Sequence, residues 1–297
     1  MVFLMTLNRD AGWRCCVRMK SVSVAFAHLF AKMLWAGLLA LPLLPCLNLV
    51  LAAEPATPRL LMVIAEKEYG TRQTLPAFAE THLAERFVID SVTAPDEDGR
   101  DNLAGLEDAE DYDLILLSVR RRAPTVEQLA AFRRYVAAGR PLVVIRTSCH
   151  AFSLRGEPPP EGHAVWEHFD TEVLGCHYAN HHKNGIVTTV QRDPHAAATG
   201  SPAVLLLEGV TLPFASGGSL YLVNPLTEAT APLLVGTIED KPAEPVAWTA
   251  TSPGGGRVFA TTLGHVSDFA NESFCQLLAN GIEWAAAGAP PAKPRKP

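Results

Sequence analysis

The stretch Val143-Val144-Ile145-Arg146-Thr147-Ser148-Cys149-His150 is an apolar run that breaks off into small, polar and nucleophilic side chains. A strand buried on both faces of a parallel sheet reads as a continuous apolar run. Ligands of open α/β sheets lie beyond the carboxyl ends of such strands. The stretch therefore predicts a buried parallel strand that delivers Arg, Thr, Ser, Cys and His to one sheet edge. A second cluster is Gly175-Cys176-His177-Tyr178-Ala179-Asn180-His181-His182, and a third is Leu263-Gly264-His265.

Working outward, Leu60–Ala65 is a short apolar run suited to a first strand. Thr74–Arg86 has helical spacing through Leu75, Phe78, Ala79 and Leu83, with Thr74 as cap and Pro76 in the first turn. Phe87–Val92 and Leu114–Val119 read as strands around an acidic, turn-rich segment. Pro124–Ala138 is an amphipathic helix with Val126, Leu129, Phe132, Tyr135 and Val136 inward, stopped by Gly139. Leu142–Ile145 is the fourth strand. Strands alternating with helices predict an α/β fold, a mostly parallel sheet flanked by helices. The second half is strand-rich: 186–191, 204–207, 219–223, 233–238, 246–249 and 257–262. A closing helix spans Asn271–Ala287, with Phe274, Leu277, Leu278, Ile282 and Trp284 along it.

The chain has 297 residues and a formal net charge of −6. Residues 33–53 are apolar and uncharged, follow Arg14, Arg18, Lys20 and Lys32, and end in Ala52-Ala53. That order predicts a signal peptide or targeting segment over residues 1–53 and an exported, periplasmic or extracellular location. An uncleaved membrane anchor is the alternative, which Pro42 and Pro45 weaken. Residues 54–58 form a linker, residues 59–288 one domain, and residues 289–297 a Pro-, Ala- and Lys-rich disordered tail. The run Arg120-Arg121-Arg122 reads as a solvated loop, and no basic stripe suggests nucleic acid. Three cysteines lie beyond residue 53, an odd number without a framework spacing, although a Cys149–Cys176 bridge is open to an exported protein.

The ordered set of motifs resembles the ThuA-like family, named from trehalose utilisation. Its members are flavodoxin-like α/β proteins related to the class I glutamine amidotransferase fold. The resemblance spans about Arg59 to Ala287. It is carried by Glu66-Lys67-Glu68-Tyr69 with Thr74-Leu75-Pro76-Ala77-Phe78, by Ile145–Phe152, and by Trp166. It continues through Leu174–Tyr178 with His181-His182, Pro245–Trp248, Gly256–Phe259 and Leu263–His265. Ser219-Leu220-Tyr221 departs from it, because many members carry an acidic residue before the Tyr. The amidotransferase cysteine belongs on a tight strand-to-helix elbow. Here that position falls on Arg146 or Thr147, and Cys149 lies beyond it, so glutamine hydrolysis is not expected.

The clusters allow three chemistries. His177 and His181 are four apart, with His182 adjacent. On a helix they would share a face suited to a divalent metal, but Gly175 and Asn180 favour a loop. With His265 they are the candidate metal ligands, and the same imidazoles would also suit a sugar pocket. The resemblance points instead to acid–base work on a small sugar or keto-sugar. In that reading His265 and His177 transfer protons, Arg146 holds an anionic or carbonyl oxygen, and Glu68 orients one of them. Glu66 and Glu68 could equally lie in a solvated loop. Ser148 or Cys149 could act as nucleophile beside His150, with His177 the better-placed base. Tyr69, Thr147, Tyr178, His182 and Gly264 are the candidate substrate contacts, Gly264 because it lets the backbone approach closely. Trp166 and Trp248 suit the core. The expected partner is a small carbohydrate, and a homo-oligomer is compatible with this reading. A non-catalytic sugar-binding or interaction protein of the cell envelope and a metal-dependent hydrolase are the alternatives.

Overall fold

The computed structural model describes residues 56–196 and 202–290. The predicted signal segment, the start of the linker and nearly all of the predicted tail lie outside the described residues. Strand β1 (Arg59–Ala65) leads into helix α1 (Thr71–His82), strand β2 (Val88–Thr93) and strand β3 (Leu114–Val119). Helix α2 (Val126–Ala137) and strand β4 (Leu142–Ile145) follow. The second half contains β5 (Asn180–His181), β6 (Thr188–Arg192), helix α3 (Pro202–Leu206), β7 (Phe214–Ser216) and β8 (Tyr221–Leu222). It ends with β9 (Thr230–Thr237), β10 (Glu244–Thr251), β11 (Arg257–Thr261) and helix α4 (Glu272–Ala286).

Nine strands form one sheet in the order β2-β1-β3-β4-β11-β10-β9-β6-β7, while β5 and β8 make a small separate ribbon. The first five strands of that order run parallel, and the strand-rich second half adds antiparallel neighbours from β10 onward. Alternation along β1 explains the layering. Leu61, Val63 and Ala65 face a core that includes Leu129, Phe132 and Val136 of α2. Leu60, Met62 and Ile64 face a core that includes Leu75 and Phe78 of α1 and Phe274 and Leu278 of α4. Each large apolar side chain so buried contributes about 1.5–3 kcal/mol. The parallel block also places the segments after β1, β3, β4 and β11 at one carboxyl edge.

Local chemistry sets the element ends. Helix α2 opens on a capping box, in which the Thr125 side chain accepts from Gln128 N and the Gln128 side chain accepts from Thr125 N. Val126, expected inward, is 56% exposed, because it stands at the first turn outside the buried stripe. Helix α1 starts at Thr71, ahead of the predicted Thr74 cap. The buried Glu66 carboxylate takes Thr71 N and the Thr71 hydroxyl, so the helix is anchored one turn earlier and Thr74 falls inside it. The predicted strand at 204–207 is instead helix α3. Pro202 occupies its first position, where the missing N–H costs nothing.

Candidate active site at the carboxyl edge

After β1 the chain turns around Glu66, which is 3% exposed. Its carboxylate accepts from the backbone N–H groups of Glu68, Tyr69 and Thr71 and from the Thr71 hydroxyl. Glu66 therefore shapes the turn that carries Tyr69. Glu68 does not face Arg146 or His150. It pairs with Arg120 at 2.8 Å on a partly exposed surface, a contact worth about 0–1 kcal/mol.

The Arg120–Arg122 run is more than the solvated loop its composition suggested. Arg122 is 3% exposed and its Nε donates to the Ala65 carbonyl at 3.0 Å. Arg121, with φ of 46°, is half-buried and donates to the Ser153 carbonyl at 3.1 Å.

The segment after β4 is a 3-10 turn of fully buried residues, Arg146–His150. Arg146 takes the tight strand-to-helix position, with φ of 48°. Its guanidinium is 2% exposed and donates to the carbonyls of Ser219 and Thr262 at 3.0 and 2.8 Å and to Ser219 Oγ at 3.1 Å. Tyr69 and Tyr221 flank it, each ring centroid 4.5 Å from Cζ. The crevice beside it holds no water-sized space. Gly218 presses against the guanidinium so closely that a Cβ there would lie 2.7 Å from Cζ. Arg146 thus ties three loops together and is not placed to hold a substrate oxygen.

The hydroxyls of this turn are also occupied. Thr147 Oγ1 donates to the Val119 carbonyl, and Ser148 Oγ donates to the Leu117 carbonyl and accepts from Val119 N. Both residues are fully buried, so Ser148 is not placed as a nucleophile and Thr147 is not placed as a substrate contact. Cys149 and Cys176 are free buried thiols rather than a disulfide. A hydrogen bond between them, then burial, pushes the Cys176 thiol well up.

His150 differs from its neighbours. Its ring is 7% exposed, lies 4.2 Å from the Tyr178 ring centroid, and leaves Nδ1 without a partner. Burial, followed by the repulsion of Arg121 and Arg120, lowers its pKa to about 2, so the imidazole is neutral at pH 7.

His150 lies on the wall of a half-open cavity of about 500 Å³ that also includes Cys149, Tyr178, His177 and Asp170. Its remaining polar lining comes from Arg121, Ser153, Arg155, Glu167, His168 and Asn180. The Asp170 carboxylate is fixed by Thr171 N at 2.8 Å and Tyr178 N at 3.0 Å, and Oδ2 stands 3.9 Å from His177 Nδ1. Burial raises the Tyr178 pKa, which keeps its hydroxyl protonated. Tyr221, itself buried, packs 5.1 Å from Tyr178 and so links this cavity to Arg146.

His265 and Gly264 do not line the cavity. Gly264 adopts φ of 112°, and His265 caps a short turn, with its Nδ1 accepting from Ser267 N at 3.2 Å. The buried Asp268 holds this loop by accepting from Gly264 N, His265 N and Ser216 Oγ. His181 lies on the β5–β8 ribbon, with its Nδ1 2.7 Å from the His182 carbonyl, and is not helical. His182 is half-buried and leaves Nε2 unpartnered. Among the described residues no three of His, Cys, Asp or Glu gather to hold a metal ion, so His177, His181 and His265 do not form the set their spacing allowed. Trp166 and Trp248 are core residues, 6% and 0% exposed.

Sequence reading missed Arg121, Arg155, Glu167, His168 and Asp170. A signal was available for Arg121, which lies two residues beyond the apolar run of β3, at the same sheet edge as Arg146 beyond β4.

Comparison with known proteins agrees with this architecture. The ThuA family, described as trehalose utilisation, matches residues 59–285. A ThuA-like protein from Bacteroides uniformis superimposes with a TM-score of 0.55 at 16% identity, covering 79% of this chain and 93% of that one. A ThuA-like protein from Parabacteroides merdae gives 0.54 at 16% identity, covering 82% and 94%. At such identities the two structures speak to the fold alone. No curated protein matches the chain. The family match covers most of the sequence, and the chain belongs to the ThuA family, associated with trehalose utilisation.

Proposed function

We propose that the protein is an exported enzyme that acts on a small sugar or keto-sugar by acid–base chemistry in the His150–His177–Tyr178 cavity. The observation that carries this reading is the His177–Asp170 pair on the wall of that cavity. Asp170 is held by two backbone N–H groups and turns Oδ2 toward His177 Nδ1. A carboxylate so fixed orients the imidazole and leaves Nε2 to take a proton from, or return one to, the substrate. The 3.9 Å separation is longer than a hydrogen bond, and such pairs tighten when substrate closes the site. The His177 side chain is 62% exposed, which leaves it free to swing toward a bound sugar. Tyr178 offers an apolar ring face and a protonated hydroxyl, both suited to sugars. The cavity volume falls within the range typical of small-molecule sites. Export is supported by the uncharged segment 33–53 behind its basic flank.

The test is incubation with disaccharides, glucosides and their keto derivatives, with detection of released sugar. Turnover by the wild type and a loss of about 100-fold in Asp170→Asn are expected. A panel-wide absence of product would overturn the enzymatic reading.

A second reading, a sugar-binding protein without catalysis, is favoured by the strand-to-helix turn after β4. Arg146 fills that position as a structural tie, and the hydroxyls of Thr147 and Ser148 are already engaged. Saturable binding without product is its signature.

A further inference from the structure

We propose that the cavity takes an anionic sugar, one bearing a carboxylate or a phosphate, with the guanidinium groups of Arg121 and Arg155 on the anion and His150 hydrogen-bonded to the sugar. The proposal rests on the sugar-site reading above and names its substrate class. Arg121 and Arg155 both line the cavity. Among the described residues the Arg155 guanidinium has no hydrogen bond or ion pair. Arg121 donates only to a backbone carbonyl and leaves Nε without a partner. The two carboxylates that also line the cavity, Glu167 and Asp170, form no ion pair with either arginine among the described residues. Glu167 accepts from the Ser153 hydroxyl and Leu154 N. Asp170 accepts from Thr171 N and Tyr178 N and faces His177. Arg120, next along the chain, is already paired with Glu68.

Two further observations point the same way. The Arg121 pKa is held down first by burial and next by Arg155, against a smaller opposite effect of Tyr178 and Glu167, so the two cations are close enough to act on one another. The formal charges of the lining balance, Arg121 and Arg155 against Glu167 and Asp170, so an anion would be held by contact with the unpaired Arg155 guanidinium rather than by a net field. His150 is more than nine-tenths buried, and its Nδ1 is unpartnered. His150 lines the cavity, so a ligand that shifts the ring slightly can supply the missing hydrogen-bond partner. Both arginines also sit at positive φ, 46° and 61°, which holds their side chains on tight turns at a strained backbone cost. Guanidinium groups bind carboxylate and phosphate through charge-assisted, often bidentate, hydrogen bonds.

The experiment is calorimetric titration of the full-length protein with glucose, glucuronate, glucose 6-phosphate and inorganic phosphate, for the wild type and Arg155→Glu. Arg155 is exposed, so this variant should fold, and Arg155→Gln provides a milder version. At least one anionic sugar should bind about 10- to 100-fold more tightly than glucose, and Arg155→Glu should abolish that preference. Preference for glucuronate or for glucose 6-phosphate distinguishes carboxylate from phosphate. Equal binding of neutral and anionic sugars would overturn the anion clamp and leave the sugar site standing. Binding of inorganic phosphate alone, lost in Arg155→Glu, would keep the clamp but overturn the sugar site. Absence of binding by any of the four would overturn both.

Discussion

Replacing Arg146 by Met separates a structural tie from a substrate-binding arginine. In the native protein the guanidinium donates to two backbone carbonyls and one hydroxyl and is stacked between Tyr69 and Tyr221. Met keeps much of the length and fills the space between the rings. It strands the Ser219 and Thr262 carbonyls, at about 1–3 kcal/mol for each buried acceptor left unmade. Loss of two cation–π contacts adds about 1 kcal/mol each. Against this, Arg146 is a buried cation with no carboxylate partner, and its removal relieves a desolvation penalty of several kcal/mol per ion. The balance should be a destabilisation of about 3 kcal/mol, a fall in Tm of about 6–12 °C for a domain of this size. Urea unfolding followed by circular dichroism measures it directly, and ligand affinity is measured in parallel below the transition. Unchanged stability with abolished ligand binding would refute the structural role and return Arg146 to the substrate.

Ser148→Ala should cost about 1–3 kcal/mol by stranding the buried Val119 N–H, while turnover per folded molecule persists; complete loss of turnover in a folded variant would make Ser148 a nucleophile. Gly218→Ala should destabilise by about 1–3 kcal/mol, because its Cβ meets a guanidinium that is held in place; a neutral effect in urea unfolding would contradict the packing described for Arg146. The His150 pKa, lowered to about 2 in the folded state, sets the sign of a pH effect. Below about pH 6.5 the unfolded chain binds a proton that the folded one refuses, so this group's contribution is complete above pH 6.5 and is lost as pH falls. From pH 6.5 to 5 the wild type should lose about 1.7 kcal/mol more than His150→Phe, read from paired urea titrations; parallel curves would show that His150 is not buried neutral.

The fold was legible where apolar pattern and punctuation agreed. The end of β4 at Ile145 is visible because the apolar run stops at Arg146, and α2 is visible from its spacing and Gly139. The short run at Val204–Leu207 was ambiguous, since four apolar residues suit either a strand or a buried helical turn. Pro202 was the discriminating residue. The candidate site was only half legible. His150, His177 and Tyr178 meet as the strand-end rule suggests. Glu68, Thr147, Ser148 and Arg146 were at the right edge but carry structural contacts, because residue type and position do not reveal where a side chain's hydrogen bonds go. Arg155 and Glu167 come from irregular segments and Asp170 from the start of a short π-helical turn, Asp170–Leu174, and their meeting depends on packing beyond any local pattern.

The most direct test of the central claim compares His177→Ala with His265→Ala by kcat/KM on a confirmed sugar substrate. With catalysis in the His150–His177–Tyr178 cavity, His177→Ala should lose 100-fold or more, as expected for removal of a general acid–base group. His265→Ala should keep wild-type turnover once corrected for folded fraction, because His265 caps a loop outside the cavity. The opposite result, turnover intact without His177 and abolished without His265, would contradict the account and move the chemistry to the segment after β11.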